Sequence, residues 1–474
     1  MALRHPGTLH PATLPNGKST YATSQEEEAD RQAALAAQLP VWRAYLPVLL
    51  EQFAHIPDPR RPRSIKHKLT VLLTFGLFLF VFAHSSRREA NRELTRPTFW
   101  ELLREVFPAI DTIPHMDTVN RLLAKIEPDQ LEGVLVQTIK RLLRNRQLQA
   151  LLVEKHYVIA IDGTQKLVRS LPFAEEALHR QHGEEVAYIA YTVEAVLVGP
   201  QGVTIPLLTE FCANPTGEEQ EFSKQDCELK AGKRLLTRLR KAFPKLRIMV
   251  VADGLYANGP MMALCRQLHL DFMFILPRER LKSIWEEAEG LRKLEKDQKL
   301  KYHWGNREQN FWWANYIDYE FQEASGSWRR LKVHVAGCTE TWEEKGAKKE
   351  THWAWVSSRP FTKKNIIARC NYAARHRWDI EENILVEKHQ GYQYEHAFSL
   401  NWTAMKNWHL LMRLGHLLNI LTLHTEALVE KVRELGFRGT IKFLRETWSN
   451  PWIKRDQLLA FCTKAPRIRM TFNY

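Results

Sequence analysis

Apolar positions change their spacing several times along the 474 residues, and each change marks an element. Trp42 to Phe53 repeats with helical period. Leu69 to Ala83 is almost unbroken apolar sequence, relieved by Thr70, Thr74 and Gly76; it predicts a buried helix and is too short to span a bilayer comfortably. Pro114 opens an amphipathic run that reaches about Arg146. From residue 155 the period shortens. Tyr157 to Ile161 is a β-branched strand ending on Asp162 and Gly163, and strands over 187–198 and 203–210 flank the hairpin turn Gly199 to Gly202. A helix is expected from about Glu219 to Ala242. There follow a strand from Arg247 that runs into Asp253 and Gly254, a helix from Gly259 to Leu268 and a strand from Asp271 to Leu276.

Farther along, aromatic and polar residues alternate from roughly 284 to 360 (Tyr302, Trp304, Phe311, Trp313, Tyr319, Trp353), which predicts antiparallel β structure. Arg377 to Lys388 predicts a helix whose apolar side is Ile380, Ile384 and Leu385, and Asn401 to about His424 predicts a strongly apolar one. The domain organisation that follows is a mobile tail over 1–40, a helical region over 41–150, an α/β domain over 155–283 and 361–400 interrupted by a β-rich insertion at 284–360, and a helical basic region over 401–474. Three antiparallel strands, a helix, a strand, a helix and a strand is the order of a ribonuclease-H-like mixed sheet. The fold class expected is therefore α/β, ribonuclease-H-like, with an inserted β subdomain and flanking helical regions.

Composition narrows the class. A hydrophobic share of 45% and a charged share of 26% exclude a disordered chain. The net charge of +14 calls for a polyanionic partner, for which nucleic acid is the commonest choice of a soluble chain. Six cysteines without a CxxC pair indicate neither a zinc ribbon nor a disulfide framework and suit a reducing cytoplasm. The opening residues lack an apolar core of signal-peptide type, so a cytoplasmic location without a membrane partner is expected.

Candidate chemistry is concentrated in acids set among bases. At about 100° per residue, Arg377, Glu381 and Lys388 fall within roughly 40° of one another on a helix, while Asp379 and Glu382 lie well around it. Two apolar strands each deliver an Asp-Gly, at Asp162 and Asp253, although Asp-Gly after a strand is also an ordinary turn. Arg88, Arg92 and Arg96 are spaced to share one helix face. Pro57 to Lys68, with Arg60, Arg61, Arg63, Lys66, His67 and Lys68, reads equally as an arm along phosphates or a solvated basic linker.

Taken together, these residues make the chain resemble the DDE transposases of bacterial insertion sequences, in particular the IS4-like group with its β insertion. The motif around that family's final acid is Tyr, two residues, Arg, three residues, Glu, six residues, Lys. Arg377, Glu381 and Lys388 match it, whereas Ala374 fills the tyrosine position and Tyr372 stands two residues earlier. The resemblance implies that Asp162, Asp253 and Glu381 are the catalytic, metal-holding acids for two Mg²⁺ or Mn²⁺ ions, and that Arg377 and Lys388 grip phosphates. It implies double-stranded DNA, element ends and target, as the partner, a homodimer on DNA, and a bacterial cytoplasm with association to the nucleoid. Arg88 and Arg92 are the candidates for DNA contact in the helical region. Two other readings keep the same fold: a host nuclease, and a retired transposase that only binds DNA.

Overall fold

The computed structural model describes residues 21–217, 225–463 and 470–471. Among the described residues, six α-helices precede the sheet: α1 (Ser24–Ala54), α2 (Leu69–Val81), α3 (Arg87–Glu93), α4 (Pro97–Val106), α5 (Met116–Leu123) and α6 (Pro128–Arg144). Their starts are written in the sequence. The Thr23 and Ser86 side chains accept from the amides of Glu26 and Glu89, and Pro97 and Pro128 open helices where no amide donor is needed.

The tail expected over 1–40 is corrected in part. Residues 24–40 are helical and continuous with 42–53, because Leu35, Leu39, Trp42 and Leu46 form a buried stripe at helical spacing. Residues 1–20 lie outside the described residues. Although α1 is long and apolar enough to cross a membrane, its inner face belongs to the core, where Trp42 stacks on Trp448 and Phe78 at 5.1 and 5.6 Å. The run expected from Pro114 to Arg146 is two helices, since Pro128 disfavours helical backbone in the residue before it. For the same reason Arg96 leaves the face of Arg88 and Arg92: α3 stops at Glu93, and Arg96 caps α4 ahead of Pro97.

The α/β region begins with β1 (Leu152–Val153), β2 (His156–Arg169), β3 (Leu178–His182), β4 (Glu185–Val198) and β5 (Thr204–Cys212). After α7 (Glu228–Ala242) come β6 (Ile248–Ala252), α8 (Gly259–Gln267), β7 (Asp271–Ile275) and α9 (Lys282–Leu294). The part of the expected helix over 219–224 lies outside the described residues. Strand order is β5-β4-β2-β6-β7, with β2, β6 and β7 mutually parallel and β4 antiparallel to both β2 and β5. This is the ribonuclease-H-like order that the sequence predicts. The short β3 pairs with the first residues of β4, on the edge where β5 takes the rest.

The insertion opens with a helix rather than a strand. Ile284, Trp285 and Ala288 of α9 are buried at helical spacing. The strands β8 (Lys299–Trp304), β9 (Arg307–Gln322), β10 (Trp328–Glu344) and β11 (Ala347–Ser357) follow. They extend the same sheet, since β11 pairs with β7 from Trp355 opposite Ile275 to Ser357 opposite Met273. The chain ends on α10 (Ile366–Asn371), α11 (Asp379–His389), α12 (Trp402–Leu423), α13 (Val429–Ser449) and α14 (Arg455–Thr463). Helix α12 is buried along almost its whole length and packs on α2 at Gly415, where a Cβ would crowd Phe80.

Candidate active site

Asp162 does not end its strand, as the Asp-Gly pattern predicts. β2 runs on to Arg169 because β4 stays paired with it, Asp162 opposite Glu194 and Gly163 opposite Val193. Gly163 therefore makes no turn. It leaves room for a neighbour, since a Cβ there would overlap the carboxylate of Glu228 and the hydroxyl of Tyr191. β6 does end, at Ala252, and Asp253 follows directly. The parallel register pairs Ala160 with Val251, so two residues farther it brings Asp162 alongside Asp253 on the neighbouring strand.

The two carboxylates are held differently. Asp162 accepts from the amide of Gly163 at 2.9 Å, and its side chain is 19% exposed. Burial pushes its pKa up to about 6, with Asp253 and Glu228 adding negative charge while the Gly163 amide and Arg377 oppose them. Asp253 accepts from the amide of Leu255 at 2.9 Å, which fixes the turn leaving the strand.

The third acid arrives by way of Arg377. This arginine lies not on α11 but on the short 3₁₀ turn Ala374–Trp378 before it, so the single helix expected over Arg377 to Lys388 is a turn followed by a helix. Its guanidinium is 3% exposed, stands 3.7 Å from Asp162 and 2.8 Å from Glu381, and lies over the Trp378 ring. Glu381 remains 42% exposed. Of its rivals, Asp379 is engaged by His376 at 2.7 Å and Glu382 points to solvent. Ile380 and Ile384 are buried as expected, but Leu385 is exposed, because only one side of so short a helix meets the sheet. Lys388 is paired with Glu395 at 2.9 Å rather than turned to the acids. Ala374 is buried and Tyr372 exposed.

Arg88 and Arg92 stand exposed on α3 in the helical region, Arg92 beside Glu93 at 2.8 Å. The linker Pro57 to Lys68 is partly self-engaged, Arg60 gripping Asp58 at 2.6 Å and Lys68 reaching Asp111. Among the described residues, no three His, Cys, Asp or Glu side chains form a group that could hold a metal ion. At the acid edge the Arg377 guanidinium stands between Asp162 and Glu381.

Sequence reasoning missed two features. The first is Glu228, at the start of α7, which accepts from Tyr191 at 2.6 Å above Gly163. The buried Tyr256 phenol stands near it, and burial together with that carboxylate holds the phenol pKa well above its ordinary value. The second is a fully buried ionic cluster. Arg413 of α12 meets both oxygens of Glu387 at 3.1 Å and one of Glu194 at 3.5 Å. His416 adds a contact to Glu387 at 2.7 Å, and Tyr394 donates to Glu194 at 2.7 Å. Charged residues inside apolar runs, Glu194 within Val193 to Val198 and Arg413 within Leu410 to Leu418, were the available signal.

Residues 50–139, from the end of α1 through most of α6, match the family described as DDE_Tnp_1-associated. That match links the chain to the DDE-type transposases. No curated protein matches the chain.

Proposed function

We propose that this chain is a DNA transposase of the DDE type, in the IS4-like group, which cuts the ends of its element and joins them to target DNA. The observation that carries the reading is the shared register of Asp162 and Asp253 at the sheet rim, with Arg377 joining Asp162 to Glu381. The match over residues 50–139 supports it from a separate part of the chain.

The donor chemistry fits hard divalent ions such as Mg²⁺ or Mn²⁺. Asp162 and Asp253 offer only oxygens, and the raised pKa of Asp162 records the cost of desolvating one carboxylate beside others. Asp162 and Asp253 would hold the ions, with Glu381 joining once Arg377 turns from it toward a phosphate. Two bound ions supply charge stabilisation to the attacking and leaving oxygens of a phosphodiester. Arg377, almost wholly buried and planar, suits a bidentate grip on a DNA phosphate beside the acids. Lys388 would offer a point charge to phosphate once released from Glu395. Arg88 and Arg92 contact the backbone of double-stranded DNA, and a homodimer brings two ends together in the bacterial cytoplasm.

The test is incubation of the full chain with labelled element ends and Mg²⁺. A nick freeing a 3′-OH is expected. Asp162→Ala, Asp253→Ala and Glu381→Ala should each abolish it while gel-shift binding of the same DNA persists. Full cleavage by all three variants would overturn the assignment.

A further inference from the structure

Six residues beyond Glu381 on α11, and directly across the ladder from Asp162 on β4, two carboxylates are wholly buried: Glu387 and Glu194. Both end on one guanidinium. Arg413 donates from Nη1 to both oxygens of Glu387 at 3.1 Å; its Nη2 stands 3.5 Å from Glu194 and donates to the Ala195 carbonyl at 3.3 Å. Every charged member of this bridge has no exposed side-chain surface. On α12, four residues before Arg413 and three after, His409 meets Glu194 at 3.2 Å and His416 meets Glu387 at 2.7 Å. Thr209 donates to Glu194 at 2.6 Å. Lys166 of β2, also buried, donates to the Tyr394 carbonyl at 2.8 Å and brings a second positive charge near both carboxylates.

We infer that Arg413 is a positioning residue that sets the spacing and angle between the β2–β4 pair carrying Asp162 and the helix carrying Glu381. A buried ion triad is an expensive way to gain stability, because removing charges from water costs several kcal/mol per ion, and apolar replacement of a whole triad is often neutral or stabilising. A forked guanidinium between two carboxylates supplies fixed distance and orientation, which an apolar contact does not. Arg413 ties α11 to β4 by charge where the sheet itself does not connect them: α11 follows the insertion and otherwise packs against β2, β4 and β5, with one hydrogen bond from Thr204 of β5 to Asn383 at 2.8 Å. The catalytic consequence rests on the function proposed above, for misplacing reacting groups by about 1 Å costs roughly 10²-fold in rate.

Two variants of the full chain test it: Arg413→Lys, which cannot span both carboxylates as a fork, and the apolar triple Glu194→Leu, Arg413→Met, Glu387→Leu. Spin labels at the exposed positions Val168 on β2 and Leu385 on α11, with Cys227 and Cys462 replaced by Ser, report the spacing by pulsed dipolar spectroscopy. The distance distribution should broaden or shift in whichever variant keeps the unfolding midpoint of the parent. In the unlabelled variants single-turnover end cleavage should fall roughly 10²-fold, while half-saturation by end DNA is unchanged. An unchanged distribution in a folded variant, or cleavage at the parent rate, would overturn the inference. If the triple does not fold, Arg413→Lys decides alone. Should the parent chain itself cut no ends, the transposase reading falls and the distance measurement still decides the positioning role.

Discussion

Two groups of carboxylates, linked by the paired strands β2 and β4 and by one shared helix, α11, are treated in opposite ways. At the rim of the sheet, Asp162 lies beside Asp253 with Glu228 close by, and one guanidinium, Arg377, is shared between Asp162 and a half-solvated Glu381. Across the ladder and along the same helix, Glu194 and Glu387 are fully buried, and Arg413, His409 and His416 satisfy them. Burial alone would raise the pKa of either acid; Arg413 instead holds both below the ordinary carboxylate range. Burial wins at Asp162, whose pKa stands near 6. The completed group leaves no charge on either acid without a partner. The uncompleted group is the one to which the proposed function assigns a cation and a phosphate.

The largest expected effect comes from breaking the completed group. Glu387→Ala leaves Arg413 buried with half its partners gone, and loss of one partner of a buried pair costs about 3–5 kcal/mol. Urea unfolding of the full chain, followed by tryptophan fluorescence, should show that loss. A change below about 1 kcal/mol, the range of exposed pairs, would mean that the cluster is as loosely held as the rim.

The opposite sign is expected at the rim. Asp162→Asn removes a desolvated charge, so the metal-free chain should become about 1–3 kcal/mol more stable at pH 8. The pH dependence follows from linkage. Because the folded pKa of Asp162 is raised from 3.8 to about 6, the native state holds its proton longer, and stability falls as pH rises between those values. The gain from Asn is therefore full above pH 6 and vanishes toward pH 4. Denaturation at pH 4 and pH 8 checks both halves, and an equal gain at the two values would remove the electrostatic cause.

The rim half of this contrast is legible in the residues themselves, and the buried half is not. The strand order follows from turn signals and from the switch between periods of two and 3.6, and the spacing of Arg377 and Glu381 survives although a 3₁₀ turn replaces the first turn of the helix. What stays hidden depends on residues far apart in the chain. Gly163 reads as a turn because nothing local reveals that Glu228 occupies the space over it. Arg96 reads as part of one face because periodicity counts straight through a helix end that Pro97 enforces. Residues 24–40 read as a tail because their polar positions outnumber the apolar stripe that docks them.

The smallest expected effect is the sharpest discriminator, because it compares like with like. Arg377 with Glu381 and Arg413 with Glu387 are both Arg–Glu pairs whose acids stand on α11, at 2.8 and 3.1 Å. Distance alone would rank the first as stronger. Exposure reverses the order: Glu381 is 42% exposed, and water screens its attraction, whereas Glu387 is sealed. A double-mutant cycle of Arg377→Gln with Glu381→Gln should give a coupling below about 1 kcal/mol. The same cycle on Arg413 and Glu387 should give several times more. A weak first coupling leaves Arg377 free to exchange Glu381 for a phosphate at little cost, as the proposed function requires; a coupling as large as that of Arg413 would lock the guanidinium to its helix and leave the rim without a hand for DNA.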